Sequence, residues 1–163
     1  MLQPKRYLFG ILFIIGMVAL VIGGEFVRAG LQTKTLGQTS GPVQFYLDGI
    51  WRSSLNEKAF QSLKKYSFKD VEEGKLQEGW MASDLILVSL DIKALPNDAI
   101  LLFTSSSRGK SIALSWAEVK EPSNQILFTL SGRGTIKLAS TYEKLNQREE
   151  WIQDMDKVEI SLP

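Results

Sequence analysis

The sequence predicts an α+β domain dominated by strands, carried behind a single N-terminal transmembrane helix. Three observations carry that expectation. Tyr7–Val27 is an apolar run whose core, Leu8 to Ile22, holds no charge and no proline. From Val43 to Leu162, short alternating or wholly apolar runs recur, each ended by Gly, Pro, Asn or Asp. Two Ser-x-x-Glu boxes, Ser54–Glu57 and Ser115–Glu118, open short helices among them.

With its flanking residues the first run reaches the roughly 20 residues a helix needs to cross about 30 Å of hydrocarbon. A cleaved secretory signal would have a shorter apolar region and a small-x-small site, which Ala19-Leu20-Val21 does not supply. Lys5 and Arg6 precede the span, whereas Glu25 and Arg28 nearly cancel, so the N-terminus is expected inside. Residues 1–28 then form the cytoplasmic tip and transmembrane helix of a single-pass cytoplasmic (inner) membrane protein. Gly16, Ala19 and Gly23 put three small residues on one helix face, where a partner helix can approach closely. Residues 29–42, rich in Gly, Thr, Gln and Ser, read as a flexible tether. Residues 43–163 are left as one extracytoplasmic domain.

Within that domain, Val43–Leu47 alternates before Asp48-Gly49 and Ile50-Trp51-Arg52 resumes, which predicts a hairpin. A helix follows the Ser54 box with Leu55, Ala59, Phe60 and Leu63 at helical spacing. Tyr66 to Trp80 reads as strand or loop. Lys64, Lys65, Tyr66, Phe68 and Lys69 make a basic-aromatic cluster, but Asp70, Glu72 and Glu73 follow at once and cancel it, giving a solvated loop with buried aromatics. Ser83–Ala94 suits a buried helix with Ser83 as N-cap, with strand as the alternative. Ala99–Phe103 is a continuous apolar run, as expected of a fully buried strand, and Ile112, Leu114 and Trp116 alternate after the turn at Ser105–Gly109. The second box opens a helical turn closed by Pro122. Strands at Ile126–Leu130 and Thr135–Leu138 flank a Ser131–Gly134 turn. Tyr142–Asp154 is polar and partly helical, and Lys157–Leu162 is a last strand.

Composition excludes much chemistry. The chain has no histidine and no cysteine, which removes imidazole bases, thiolate nucleophiles, disulfides and the usual zinc, copper and haem ligands. A net charge of +1 with interspersed signs offers no field for nucleic acid. Thr104-Ser-Ser-Ser-Arg-Gly-Lys-Ser111 nearly spells a phosphate-binding loop, yet Thr104 replaces the first glycine and strand alternation continues where a helix is required. The carboxylate pairs Glu72-Glu73, Glu149-Glu150 and Asp154 with Asp156 sit in polar runs and read as solvated faces. The tryptophans Trp51, Trp80, Trp116 and Trp151 each adjoin an element end and are expected to pack in the core, indole N–H at the rim.

Taken in order, these segments resemble the molybdopterin-binding domain of the sulfite oxidase family. Leu47–Phe60 resembles its early strand and helix, Glu78-Gly79-Trp80 and Asp84–Leu87 its Glu-Gly-Trp segment and following helix. Ala99–Val119 and Ile126–Gly132 resemble its next motifs, and Gly134–Leu138, Trp151 and Val158–Ile160 its end. The departures fall on the cofactor. Leu76 occupies the position of the molybdenum-ligating cysteine, or Trp80 aligns with a later family tryptophan; on either alignment no cysteine exists to bind metal, and Gly-Pro-Leu-Arg has become Gly134-Thr-Ile-Lys137. The resemblance therefore implies a mixed sulfite-oxidase-like fold without cofactor, metal or catalytic residues. It implies a vestigial cleft near Leu76, Trp80, Arg108, Lys110, Arg133 and Lys137. The expected role is a non-catalytic, membrane-anchored binding or structural module, an accessory subunit of a membrane protein complex. A binder of a pterin-like or other anionic small ligand in that cleft is the alternative, followed by an active molybdopterin oxidoreductase. Expected partners are membrane proteins, met through the span and the outer domain, and the bilayer itself.

Overall fold

A computed structural model describes residues 43–55 and 57–163. The expected span, the tether, the small-residue face of Gly16, Ala19 and Gly23, and part of the Ser54–Glu57 box lie outside the described residues. Among the described residues no helix is long and apolar enough to cross a membrane.

The described residues fall in one compact unit. They form a mixed α+β fold in which, among the described residues, nine strands make two sheets. β1 (Gln44–Leu47) and β2 (Ile50–Ser54) are the expected hairpin, closed by Asp48 and Gly49 at φ of 51° and 75°. Both values are left-handed, the conformation of a two-residue turn that matches strand twist. α1 (Glu57–Ser62) follows, then β3 (Lys65–Lys69) and β4 (Leu76–Met81), which pair where the sequence leaves strand or loop open, so the basic-aromatic cluster expected in a solvated loop lies on a strand. The charges mislead there because β3 is an edge strand and exposes most of its residues. Phe68 is buried but Tyr66 is 40% exposed.

β4 runs directly into α2 (Ala82–Leu90), so the helix expected from Ser83 is present but its N-cap is Met81. No side chain caps it; the Ala82 N–H donates instead to Ile126 O on a neighbouring segment. β5 (Ile100–Ser105) and β6 (Lys110–Ser115) form the next hairpin. β5 is not fully buried: Leu101, Phe103 and Ser105 face the core while Ile100 is 46% exposed. The sheet is covered on one side at this position, which an all-apolar run cannot reveal.

α3 (Trp116–Lys120) begins with the expected capping box, both of its hydrogen bonds present between Ser115 and Glu118. β7 (Leu127–Leu130), β8 (Ile136–Ala139) and β9 (Lys157–Ser161) complete the fold. One sheet has the order β2-β1-β9-β5-β6 and the other β3-β4-β7-β8. All neighbours are antiparallel except β1 and β9, the first and last strands, which run parallel from Gln44–Lys157 to Leu47–Ile160. The core lies between the sheets and under α2, with Phe103 of β5 edge-on to Phe128 of β7 at 6.1 Å between centroids.

Candidate functional site

Register places the expected cleft residues in three separate settings. Along the second sheet, Trp80 pairs with Phe128 and Phe128 with Leu138, so these share a face. Lys137 is the alternate residue of β8 and emerges from the opposite face. Leu76 and Trp80, two steps of two apart on β4, stay together and line a groove with Lys65, Gln77, Glu78, Thr129 and Leu130. Leu76 is 56% exposed, whereas Trp80 is buried, tilted against Phe60 with its Nε1–H donating to Phe60 O at 3.0 Å.

Arg108 and Arg133 do come together, from the β5–β6 and β7–β8 turns, and both close on Asp154. Arg108 Nε donates to Oδ2 at 2.6 Å, and an Arg133 terminal nitrogen reaches both oxygens at 3.0 and 2.9 Å. Thr135 adds a hydroxyl at 2.7 Å. These donors, the Thr135 hydroxyl first and then Arg108, hold the Asp154 carboxyl below the ordinary carboxylate range. Asp154 was not distinguishable in sequence from a solvated acid, and its companion Asp156 goes elsewhere, accepting the Ser106 N–H at 3.0 Å. That contact occupies an amide in the loop that nearly spells a phosphate-binding motif. Thr104–Ser111 is instead the end of β5, one 3₁₀ turn over Ser106–Arg108, a left-handed Gly109 and the start of β6.

Lys110 donates to the backbone carbonyls of Glu149 and Trp151. Lys137, 9% exposed, donates to Gln77 Oε1 at 2.8 Å and lies 4.4 Å above the Trp151 ring. Burial, reinforced by Arg148 and opposed by Asp70, pushes its ammonium below the ordinary lysine range. Gln77 passes the contact on, its Nε2 donating to Asp70 Oδ2 at 3.2 Å. This Asp70–Gln77–Lys137–Trp151 chain has no sequence signature beyond a lysine between two apolar residues of a strand buried on both faces.

Of the tryptophans, Trp80, Trp116 and Trp151 are buried as expected, while Trp51 is 39% exposed on the edge strand β2, its Nε1–H on Gln44 Oε1 at 2.7 Å. Among the described residues no group of three acidic side chains is placed to hold a metal ion. No family model matches the chain, and no curated protein is matched by it.

Proposed function

We propose that the chain is a non-catalytic binding or structural module, anchored in the cytoplasmic membrane by Tyr7–Val27 and serving a membrane protein complex as an accessory subunit from the extracytoplasmic side. One observation carries this reading over a ligand cleft: the cations such a cleft would use are spent inside the domain. Arg108 and Arg133 share Asp154, Lys110 holds two carbonyls, and Lys137 leans on Gln77 and Trp151 on the other face of its sheet.

A sulfite-oxidase-like fold is compatible with two sheets in an α+β unit, but the residues do not fit a molybdenum–pterin group. Leu76, where the resemblance puts the thiolate, offers an exposed isobutyl group with no lone pair to bind a soft metal. Fold likeness does not carry activity across that loss.

The test is purification of the tagged full chain in mild detergent, followed by native mass spectrometry. Membrane proteins at fixed stoichiometry are expected, and substituting Gly16 and Gly23 by leucine is expected to release a partner held through the helix face. A clean monomer overturns the accessory reading, and a bound pterin or molybdenum overturns the cofactor-free one.

A further inference from the structure

Among the described residues strand β3 is an open edge: in its sheet only β4 pairs with it. At the hairpin end the Asp70 N–H donates to Lys75 O. Antiparallel bonds alternate along a strand, so Phe68 and Tyr66 bond inward while the backbone N–H and C=O of Lys65, Ser67 and Lys69 face outward. The side chains of those three residues share a face with their partners Trp80, Glu78 and Leu76. That is the groove face, a space of about 510 Å³ floored by Leu76, Trp80 and Leu130. Leu76 and Leu130 are each 56% exposed there, an apolar pair that the core leaves uncovered.

The acids that cancel this cluster in sequence do not do so in space. Asp70 is 3% exposed and turned into its own hairpin, accepting the Glu73 N–H at 2.6 Å and Gln77 Nε2. Glu73 is paired with Lys75 and Arg148. Among the described residues Lys65 and Lys69 form no ion pair; Lys65 lies 5.0 Å above the Trp80 ring. Glu78, opposite Ser67, is the acid that remains on this face, and Glu72 sits at the hairpin tip.

We infer that β3 is a docking edge for an extended acidic segment of a partner protein, which adds to the sheet as a further strand. Its backbone takes the outward groups of Lys65, Ser67 and Lys69. Two carboxylates, four residues apart, face Lys65 and Lys69. Between them a long apolar side chain passes over the small Ser67 and Glu78 stem toward Leu76 on β4, about 10 Å away across two strand spacings, with Leu130 of β7 one spacing beyond. The pattern is acid-x-apolar-x-acid. An anionic bilayer would use the lysines but not the row of backbone donors, and Glu72 at the tip opposes it.

This rests on the reading of the outer domain as a protein-binding module. The probe is a fluorescent peptide centred on Glu-Thr-Phe-Thr-Glu, titrated against the full chain in neutral-lipid nanodiscs with anisotropy as readout. Saturable binding is expected, weakened about tenfold by the double variant Lys65→Glu, Lys69→Glu. That variant should in turn bind the Lys-Thr-Phe-Thr-Lys peptide, which the natural chain is expected to leave unbound. Ser67→Pro removes an outward amide without breaking a bond to β4, so it should abolish binding with the circular dichroism spectrum unchanged. Leu76→Ser tests the groove by itself and should weaken binding. No binding by the folded natural chain, or binding indifferent to all these variants, overturns the proposal. So does capture of phosphatidylglycerol vesicles that the double variant loses while the peptide stays unbound, which assigns the edge to membrane. Should partners co-purify with the natural chain and with the double variant alike, the docking edge fails while the accessory role stands; a chain without partners removes the accessory role itself.

Discussion

Glu118 shows how a capping residue becomes a junction. Its Oε2 accepts from the Ser115 N–H at 2.6 Å and hydroxyl at 2.9 Å, which fixes the start of α3. Its Oε1 accepts from Tyr142 at 2.7 Å and Lys144 at 2.6 Å, tying that helix to the segment after β8. Burial pushes the carboxyl up, but the hydrogen bonds from Lys144, Ser115 and Tyr142 outweigh it and bring it from 4.5 to about 2. Such a depression corresponds to about 3 kcal/mol if none is lost to solvent; with the side chain partly exposed, screening leaves about 1–2 kcal/mol. Because the folded value is the lower one, this stability is fully present above the ordinary value and disappears as pH falls through the folded one. Glu118→Gln is therefore expected to lower the urea midpoint near neutral pH, and its deficit against the natural chain to shrink as both are taken to about pH 2. A deficit independent of pH would mean that shape, and not charge, holds the junction. Of this arrangement the Ser115–Glu118 box is legible in sequence, because capping is local. The Tyr142 and Lys144 contacts are not, since they arrive from 24 and 26 residues away.

Elements are legible in the sequence wherever their signals are local, and less so where a neighbour supplies the deciding contact. The Asp48-Gly49 hairpin, the helix after Leu55 and the turn at Ser131–Gly134 all stand where their turn residues put them. The start of α2 does not, because its cap is the Ile126 carbonyl and not Ser83. The residues of the candidate cleft are likewise distributed by contacts that are not local. Leu76 and Trp80 stay together on one face of the four-stranded sheet, Lys137 lies on the other and Lys110 starts β6, while Arg108 and Arg133 meet from two turns through an aspartate that nothing in the sequence marks. β4 carries one further demand that sequence suggested only as part of a Glu-Gly-Trp string. A Cβ built on Gly79 would stand 2.2 Å from the Phe128 carbonyl oxygen and 2.9 Å from its carbon, so β4 and β7 approach too closely for any side chain there. Backbone cannot swing away as a side chain can, and the adjoining Trp80–Phe128 pair is buried on both strands. Gly79→Ala is expected to cost about 1–3 kcal/mol or more, as overpacking does, read as a lower unfolding midpoint at unchanged denaturant slope. Full stability in that variant would mean that the two strands can separate without loss.

At the scale of the molecule, the two ends of the domain are joined where no local pattern could show it. β9 enters between β1 and β5, paired with the first strand in parallel and with β5 antiparallel, so the last residues of the chain form the middle of the five-stranded sheet. Val158 and Ile160 are fully buried there, and Leu162 N–H closes the edge on Asp48 Oδ1 at 2.9 Å. The sequence marks Lys157–Leu162 as a strand by its alternation but cannot say which neighbours it takes, since its partners lie 113 residues back in β1 and 53–61 back in β5. Long-range closure of this kind also makes folding slow, because the chain must fix its ends before the contacts repay the lost entropy. Burial of Val158 and Ile160 contributes about 1.5–3 kcal/mol each, and the two ladders of hydrogen bonds add about 0.5–1.5 kcal/mol per bond. Together these rival the roughly 5–15 kcal/mol by which a whole domain is stable. A chain ending at Asp156 is therefore expected to lose its near-ultraviolet circular dichroism and its cooperative unfolding transition, with Phe45, Leu101 and Phe103 left facing a gap. A synthetic peptide of residues 157–163 added in trans should restore part of that signal. If the shortened chain unfolds cooperatively without it, β1 and β5 have closed on each other and the last strand is dispensable.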